Sequence, residues 1–174
     1  MNTQPHQNLA ENTPIIIGAA QHVERVQASC EPPLSSPMQL AANACTAALN
    51  DAGVAAGDID CIAFIQLFSD ASKAWASPFG GSNNPPESVA RRIGAAPARR
   101  IYSNAGGTEP LQILVELLQA IARGETTLAL LTGAEAIANQ RLAVRKGYEL
   151  DWREEFDAPL DKREHPKRLS LIHI

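Results

Sequence analysis

The feature that most constrains the fold is an alternation of short apolar runs with segments of helical periodicity. Three apolar runs, short enough to be buried strands, lie at residues 14–18, 59–66 and 127–131, and residues 99–103 are strand-like. Between them, apolar residues recur every three or four positions, as on one face of a helix. Strands that alternate with helices predict an α/β fold, with a mostly parallel sheet and helices on both faces.

Capping residues mark the ends of the predicted helices. Ser36 followed by Pro37 predicts a helix start, and Gly53 predicts the end of that helix. A short helix is predicted from Pro86 to Ile93. A longer one is predicted from Thr108 to Gly124.

Composition along the chain divides it into four parts. Residues 1–13 are polar and predict a disordered tail, and residues 14–138 hold the alternating pattern of the core domain. Residues 139–168 are strongly charged and predict an excursion from that core. The apolar stretch at 169–174 fits neither pattern and is interpreted as a non-native tail. An unfinished excursion after the last clear strand predicts a truncated protein.

Charge and cysteine usage exclude several classes of function. The net charge is -4 and the sequence pI is about 5.5, which does not favour nucleic-acid binding. Cys45 and Cys61 lie in apolar patterns and are predicted to be buried, whereas Cys30 lies in a polar loop. Their spacing predicts no metal site and no disulfide framework. No signal peptide or membrane span is predicted, so the expected location is the cytoplasm.

A glycine-rich turn follows the third predicted strand, in the sequence Asn-Ala-Gly-Gly-Thr-Glu-Pro that begins at Asn104. Glycine permits positive φ and close backbone approach, and the helix that follows presents free N–H groups and a positive dipole end. Such a corner can receive an anion or activate a nucleophile, but the turn contains no Cys, Ser or Lys. The Thr108 hydroxyl is either a ligand contact or, more simply, the helix N-cap. No GxGxxG or phosphate-loop pattern accompanies it.

A carboxylate, Glu135, follows the fourth predicted strand after Thr132-Gly133-Ala134. Ligand sites in parallel sheets lie at the carboxyl ends of strands, so a catalytic role is one interpretation. A structural role as an acceptor for nearby backbone N–H groups is the other.

Three motifs in order resemble thiolases. They are the opening run from Pro14 to Gln21 (PIIIGAAQ), the run from Gly106 to Gln112 (GGTEPLQ), and Gly133 to Ala136 (GAEA). The resemblance covers about residues 14–152 and corresponds to the N-terminal half of a thiolase. It puts Gly107 at the position of the nucleophilic Cys. The chain is therefore similar to thiolase-like acetyl-CoA acetyltransferases that lack this Cys.

The resemblance implies a five-layer protein made of two similar halves, usually dimeric, that handles acyl-CoA thioesters in lipid metabolism without a bound cofactor or metal. It implies substrate contacts at Asn104, Gly106, Gly107, Thr108 and Glu135. Residues 139–168 would begin the loop domain that contacts CoA in thiolases. Basic side chains there are either phosphate contacts or a solvated face, namely Lys162, Arg163, Lys167 and Arg168.

Three functions remain open from the sequence. The first is an acyltransferase-like protein whose reaction uses residues of the half that is absent here. The second is a non-catalytic subunit of thiolase fold that binds acyl-CoA or acts as a scaffold. The third is a fragment without activity of its own. Gly107 cannot form a thioester, and Cys45 and Cys61 lie in a helix face and a strand interior.

Overall fold

The computed structural model describes residues 12–163. Its strands are β1 (Cys61–Phe64), β2 (Arg99–Tyr102), β3 (Ala129–Thr132) and β4 (Asp161–Lys162). Its α-helices are α1 (Pro37–Ala52), α2 (Pro85–Ile93), α3 (Glu109–Ala122) and α4 (Ile137–Lys146).

The strands form one parallel sheet in the order β3-β1-β2-β4. Cys61 of β1 lies opposite Arg99 of β2 and Ala129 of β3. Because the strands run in the same direction, their carboxyl ends meet at one edge of the sheet. The segments that follow β1, β2 and β3 therefore lie side by side at this edge.

Helices cover both faces of the sheet, as the sequence predicts. On one face, Phe64 and Tyr102 pack with Met38 of α1 and Val89 of α2. The opposite face packs on α3, in a cluster formed by Cys61, Ala63, Ile101, Ile113 and Leu117. The predicted α/β architecture is thus confirmed.

The predicted capping of α1 is also confirmed. Ser36 Oγ accepts a hydrogen bond from Gln39 N at 3.2 Å, and Gly53 ends the helix with a φ of 67°. This left-handed conformation favours glycine, which has no Cβ. In contrast, Thr108 occupies the N-cap position of α3 but makes no capping hydrogen bond through its side chain.

The prediction of a buried strand at Pro14–Gly18 is wrong. The segment is irregular, and its Ile15 and Ile16 side chains are 65% and 73% exposed. Gly18 lies close to Ala48 and Ala52 of α1, and the next residue, Ala19, donates from its N to Asp51 Oδ2 at 3.0 Å. A groove of about 640 Å³ lies between this segment and β3. An apolar run has the propensity for a strand, but within residues 12–163 this segment pairs with no strand.

β3 is an edge strand of the described sheet. Leu128 O accepts a hydrogen bond from Cys61 N, and Thr132 O accepts one from Ile65 N. Residues 128, 130 and 132 therefore direct their backbone N–H and C=O groups toward β1. Because backbone direction alternates along a strand, Ala129 and Leu131 direct theirs into the groove.

Gly18 fixes the irregular segment against α1. A Cβ at this position would lie 2.6 Å from Ala48 O and 2.7 Å from Ala52 Cβ. We expect Gly18→Ala to lower the free energy of unfolding by about 1–3 kcal/mol, since the helix backbone cannot yield to the added methyl group. Urea denaturation of this variant and of Gly57→Ala measures the effect. A Cβ at Gly57 meets no atom within 4 Å, so an equal loss in both variants would contradict the close packing of Gly18.

Residues beyond 138 form elements that the sequence pattern missed. α4 buries Leu142 and Ala143, and its charged residues face outward. Trp152 packs edge-on against Phe79 with ring centroids 5.3 Å apart, and β4 then pairs with β2. The domain boundary at 138 stays a prediction. Most of the predicted disordered tail, and all of residues 169–174, lie outside the described residues.

A buried carboxylate joins α2 to β2. Glu87 is 6% exposed and accepts a hydrogen bond from Arg91 Nε at 2.8 Å. Its other oxygen accepts from Nε of Arg100, whose side chain is 14% exposed. This arrangement satisfies a charge that burial would otherwise make unfavourable. Among the described residues, no helix has the length and hydropathy needed to cross a bilayer.

Candidate functional site

The residues predicted as a site lie at the carboxyl edge of the sheet. The glycine corner, which we define as Asn104–Thr108, follows β2. Ser103 and Asn104 are buried, and the two glycines are exposed. Ser103 Oγ accepts a hydrogen bond from Gln66 N at 2.9 Å and donates to Asn104 O at 2.8 Å. This hydroxyl fixes the start of the corner to the segment that follows β1.

The backbone of the glycine corner differs from the expectation in one respect. Neither Gly106 nor Gly107 has a positive φ. A Cβ at Gly107 would meet no atom within 4 Å, and a Cβ at Gly106 would lie 3.4 Å from Glu109 Cγ. The fold of the described residues therefore does not require glycine at position 107. What the two glycines provide is an exposed stretch of backbone at the beginning of α3.

The N-terminus of α3 can donate a hydrogen bond to a ligand at this corner. Glu109 N donates to Gly106 O at 3.2 Å, but the Thr108 side chain caps no backbone N–H. In this first turn Pro110 has no N–H and Glu109 N is already bonded, so the turn offers an acceptor the Leu111 N–H and the positive end of the helix dipole. A carbonyl or carboxylate oxygen is the kind of group that both favour.

Glu135 lies beyond the end of β3, on the other side of the segment that follows β1. Glu135 Oε1 accepts a hydrogen bond from Phe68 N at 2.6 Å, so the predicted structural role is confirmed. Partial burial raises the pKa of the Glu135 carboxyl group above its usual value, and the hydrogen bond from Phe68 offsets part of this increase. A catalytic role for this carboxyl group stays a prediction.

The Tyr102 phenol and the Asp70 carboxylate form a hydrogen-bonded pair at the same edge of the sheet, which the sequence did not predict. Tyr102 OH donates to Asp70 Oδ2 at 2.5 Å and accepts from Leu67 N at 3.1 Å. Burial raises the pKa of Tyr102, and the hydrogen bond to Asp70 raises it further. The phenol therefore stays protonated and holds the turn after β1 in place. A tyrosine at the end of a buried strand was the available signal.

A cavity of about 190 Å³, which we call the tryptophan cavity, opens beside Glu135. Its apolar wall includes Met38, Leu67, Trp75 and Trp152, and Glu135 lies at its polar side. Trp75 is 58% exposed and contacts Phe68, with ring centroids 5.0 Å apart. No residue of the glycine corner lines this cavity, so the predicted site residues divide between two places.

Neither the glycine corner nor the tryptophan cavity contains a cysteine within residues 12–163. Burial raises the pKa of the Cys61 thiol to about 11. Burial also raises the pKa of Cys45, although a hydrogen bond with Thr132 offsets part of this effect. A thiol that stays protonated is a poor nucleophile, which agrees with the prediction that these two residues cannot replace a catalytic Cys.

The predicted phosphate contacts are only partly described. Lys162 is exposed on β4. The Arg163 guanidinium group pairs with Glu116 at 2.5 Å and with Asp161 at 3.1 Å, so its charge is already engaged. Lys167 and Arg168 lie outside the described residues. Over the described part of the chain, no group of three or more His, Cys, Asp or Glu residues could hold a metal ion.

The parallel sheet, its helices on both faces and the glycine corner before α3 define part of a thiolase-like fold, and comparison with solved structures confirms this. The chain is similar to a monomeric SCP2-thiolase like protein type 1 from Mycobacterium smegmatis, with 33% sequence identity and a TM-score of 0.56. The match covers 71% of this chain and 24% of that chain. The resemblance to the thiolase superfamily is therefore confirmed. No family model and no curated protein matches the chain significantly.

The comparison bears on two further expectations. The chain spans about a quarter of the length of the solved neighbour, so the activity of a whole protein of this kind does not transfer to it directly. That neighbour is described as monomeric, which gives no support to the expected homodimer. The absence of the standard Cys, which rests on the alignment of Gly107 with the thiolase nucleophile, stays a prediction.

Proposed function

We propose that the chain is part of a thiolase-like protein that binds or acts on acyl-CoA thioesters at the glycine corner, without a covalent nucleophile of its own. The similarity to an SCP2-thiolase like protein over 71% of the chain is the observation that carries this proposal. The exposed backbone at Gly106 and Gly107 supports it, because the carbonyl oxygen of a thioester can accept hydrogen bonds from N–H groups at a helix N-terminus.

A non-catalytic role is the second candidate, and one observation favours it. Position 107 has room for a side chain but carries none, and Cys45 and Cys61 are protonated and buried. A corner with this backbone can bind and orient a thioester without forming an acyl-enzyme. Under this candidate, the protein retains the acyl-CoA pocket or acts as a scaffold. The homodimer, the cytoplasmic location and the place in lipid metabolism belong to the proposal and remain predictions.

Calorimetry with acetyl-CoA tests binding at the corner, and an assay of acetoacetyl-CoA thiolysis tests turnover. We expect this chain to bind acetyl-CoA and to catalyse no thiolysis. Gly107→Phe should abolish binding, because its side chain would fill the open space over the α3 N-terminus. Gly57→Phe is the matched control at another exposed glycine and should bind normally. Binding that survives Gly107→Phe, or no binding by the parent chain, would contradict the proposed site.

A further inference from the structure

The tryptophan cavity is a second concave site on the chain, separate from the glycine corner. Tyr102 and Phe64 face α1 and α2, and the cavity opens on this side, near the beginning of α1 at Ser36–Met38. α3 packs on the opposite face of the sheet. A molecule in the cavity would therefore leave the N-terminus of α3 unoccupied.

The cavity has the composition of a small-molecule site. Apolar groups form most of its wall, and the polar side chains are four serines together with Glu135, Gln140 and Arg141, a mixture that ligand pockets share. Three large apolar side chains near it remain exposed, namely Phe68 at 49%, Trp75 at 58% and Ile137 at 40%. Exposed apolar groups that cluster beside a cavity indicate a surface that a ligand covers.

The polar side of the cavity presents both an acceptor and donors. Glu135 Oε1 binds Phe68 N, and the carboxyl group has a second oxygen that can accept a hydrogen bond. The beginning of α4 at Ala136 and Ile137 also lines the cavity, and this helix has no side-chain N-cap. Its first-turn N–H groups are therefore donors for a ligand oxygen. The amide of Gln140 offers both functions.

The charges around the cavity select against ionic ligands. Glu135 would repel an anion. Two features disfavour a cation. The positive charge of Arg141 lines the cavity, and α1 and α4 both begin there with the positive ends of their dipoles. A neutral amide suits this wall, because its N–H can donate to Glu135 while its carbonyl oxygen accepts from α4.

We propose that the tryptophan cavity binds a small neutral ligand that carries an amide group on an apolar body. The apolar body lies against Trp75 and Trp152, and the amide lies between Glu135 and the beginning of α4. The cavity volume of about 190 Å³ equals that of roughly six water molecules, which suits a chain of about five carbons. This site goes beyond the proposed function and does not involve CoA.

Tryptophan fluorescence gives a direct test, since the only two tryptophans of the sequence, Trp75 and Trp152, both line the cavity. The probes are pentanamide, pentanoate and pentylammonium, which share an apolar body and differ in charge. We expect a saturable change in emission with pentanamide, at about tenfold lower concentration than with either ion. Equal responses to all three probes, or no saturation with pentanamide, would overturn the proposal.

A pair of variants tests the role of the carboxyl group. We expect Glu135→Met to weaken the pentanamide response about tenfold, because the side chain loses its acceptor at similar volume. Glu149→Met is the control, since Glu149 is an exposed carboxylate that does not line the cavity. Unchanged pentanamide binding by Glu135→Met would contradict the assigned orientation. If Glu135→Met fails to fold, the comparison of the three probes on the parent chain still decides the proposal.

Discussion

We expect a cysteine at position 107 to have a thiol pKa at least one unit below that of an ordinary exposed cysteine. In Gly107→Cys the new side chain fits without a clash, since a Cβ there meets no atom within 4 Å. The thiol would lie at the beginning of α3, where the positive end of the helix dipole stabilises a thiolate. The lower pKa also reduces the intrinsic nucleophilicity of the thiolate, so the net gain in alkylation rate at pH 6 is about three- to fourfold for a shift of one unit.

The pH dependence of iodoacetamide alkylation measures this pKa. Gly57→Cys is the matched control, because Gly57 is exposed, has no close neighbour to a Cβ and lies in a turn of only three residues. Both variants are made together with Cys30→Ser, because Cys30 is a free cysteine that is only partly buried. Cys45 and Cys61 contribute little background, as burial raises the pKa of both thiols. If the two variants alkylate with the same pH profile, the glycine corner does not have the electrostatics of a nucleophile position.

The second large effect concerns the buried carboxylate of α2. We expect Glu87→Gln to lower the free energy of unfolding by about 3 kcal/mol at pH 7, because it leaves the Arg100 guanidinium group largely buried without an ionic partner. The Arg100 side chain is 14% exposed, so water replaces the lost carboxylate only in part. Urea denaturation monitored by circular dichroism measures the loss.

The effect should depend on pH in a defined direction. Burial by itself would raise the pKa of Glu87, but hydrogen bonds from Arg91 and Arg100 more than offset this and hold the pKa below 4.5. The contribution of the carboxylate to stability is therefore present above about pH 4.5 and is lost as the pH falls through the pKa of the folded state. The difference between the parent chain and Glu87→Gln should narrow in acid.

Arg91→Met serves as the control for the Glu87 prediction. Arg91 binds the same carboxylate, but its side chain is 62% exposed, so its loss should cost only about 0.5 kcal/mol. A loss as large as that of Glu87→Gln would mean that exposure does not determine the strength of these two ion pairs.

The sequence predicts those elements whose signals are local. Ser36, Pro37 and Gly53 define α1 through capping chemistry that neighbouring residues satisfy. The predicted strands at β1, β2 and β3 are correct to within about two residues at each end. β1 is buried along its whole length, which is what its continuous apolar run predicts. Pro14–Gly18 has the same signal but no partner strand, and strand formation depends on a partner that lies far away in sequence.

The site was predictable only in part, for the same reason. The position of the glycine corner follows from the strand and helix on either side of it. Two features do not follow from local pattern, namely the hydrogen bond between Tyr102 and Asp70 and the closure of the tryptophan cavity by Trp152. Both join segments far apart in the chain. α4 was missed because its buried stripe is narrow and includes the polar Asn139 beside Leu142 and Ala143, which gives weak apolar periodicity.

Within residues 12–163 no strand pairs with the outer edge of β3, which affects how the chain behaves in solution. The backbone groups of Ala129 and Leu131 point into the groove, and Ile15 and Ile16 expose apolar surface beside it. Such an edge is a template for pairing with a strand of another molecule. Burial of Ile15 and Ile16 in that contact would stabilise it. Concentrated solutions of this chain are therefore prone to intermolecular β-sheet assembly. Leu131→Pro would remove an N–H that lies outside the β1 pairing and would weaken this template.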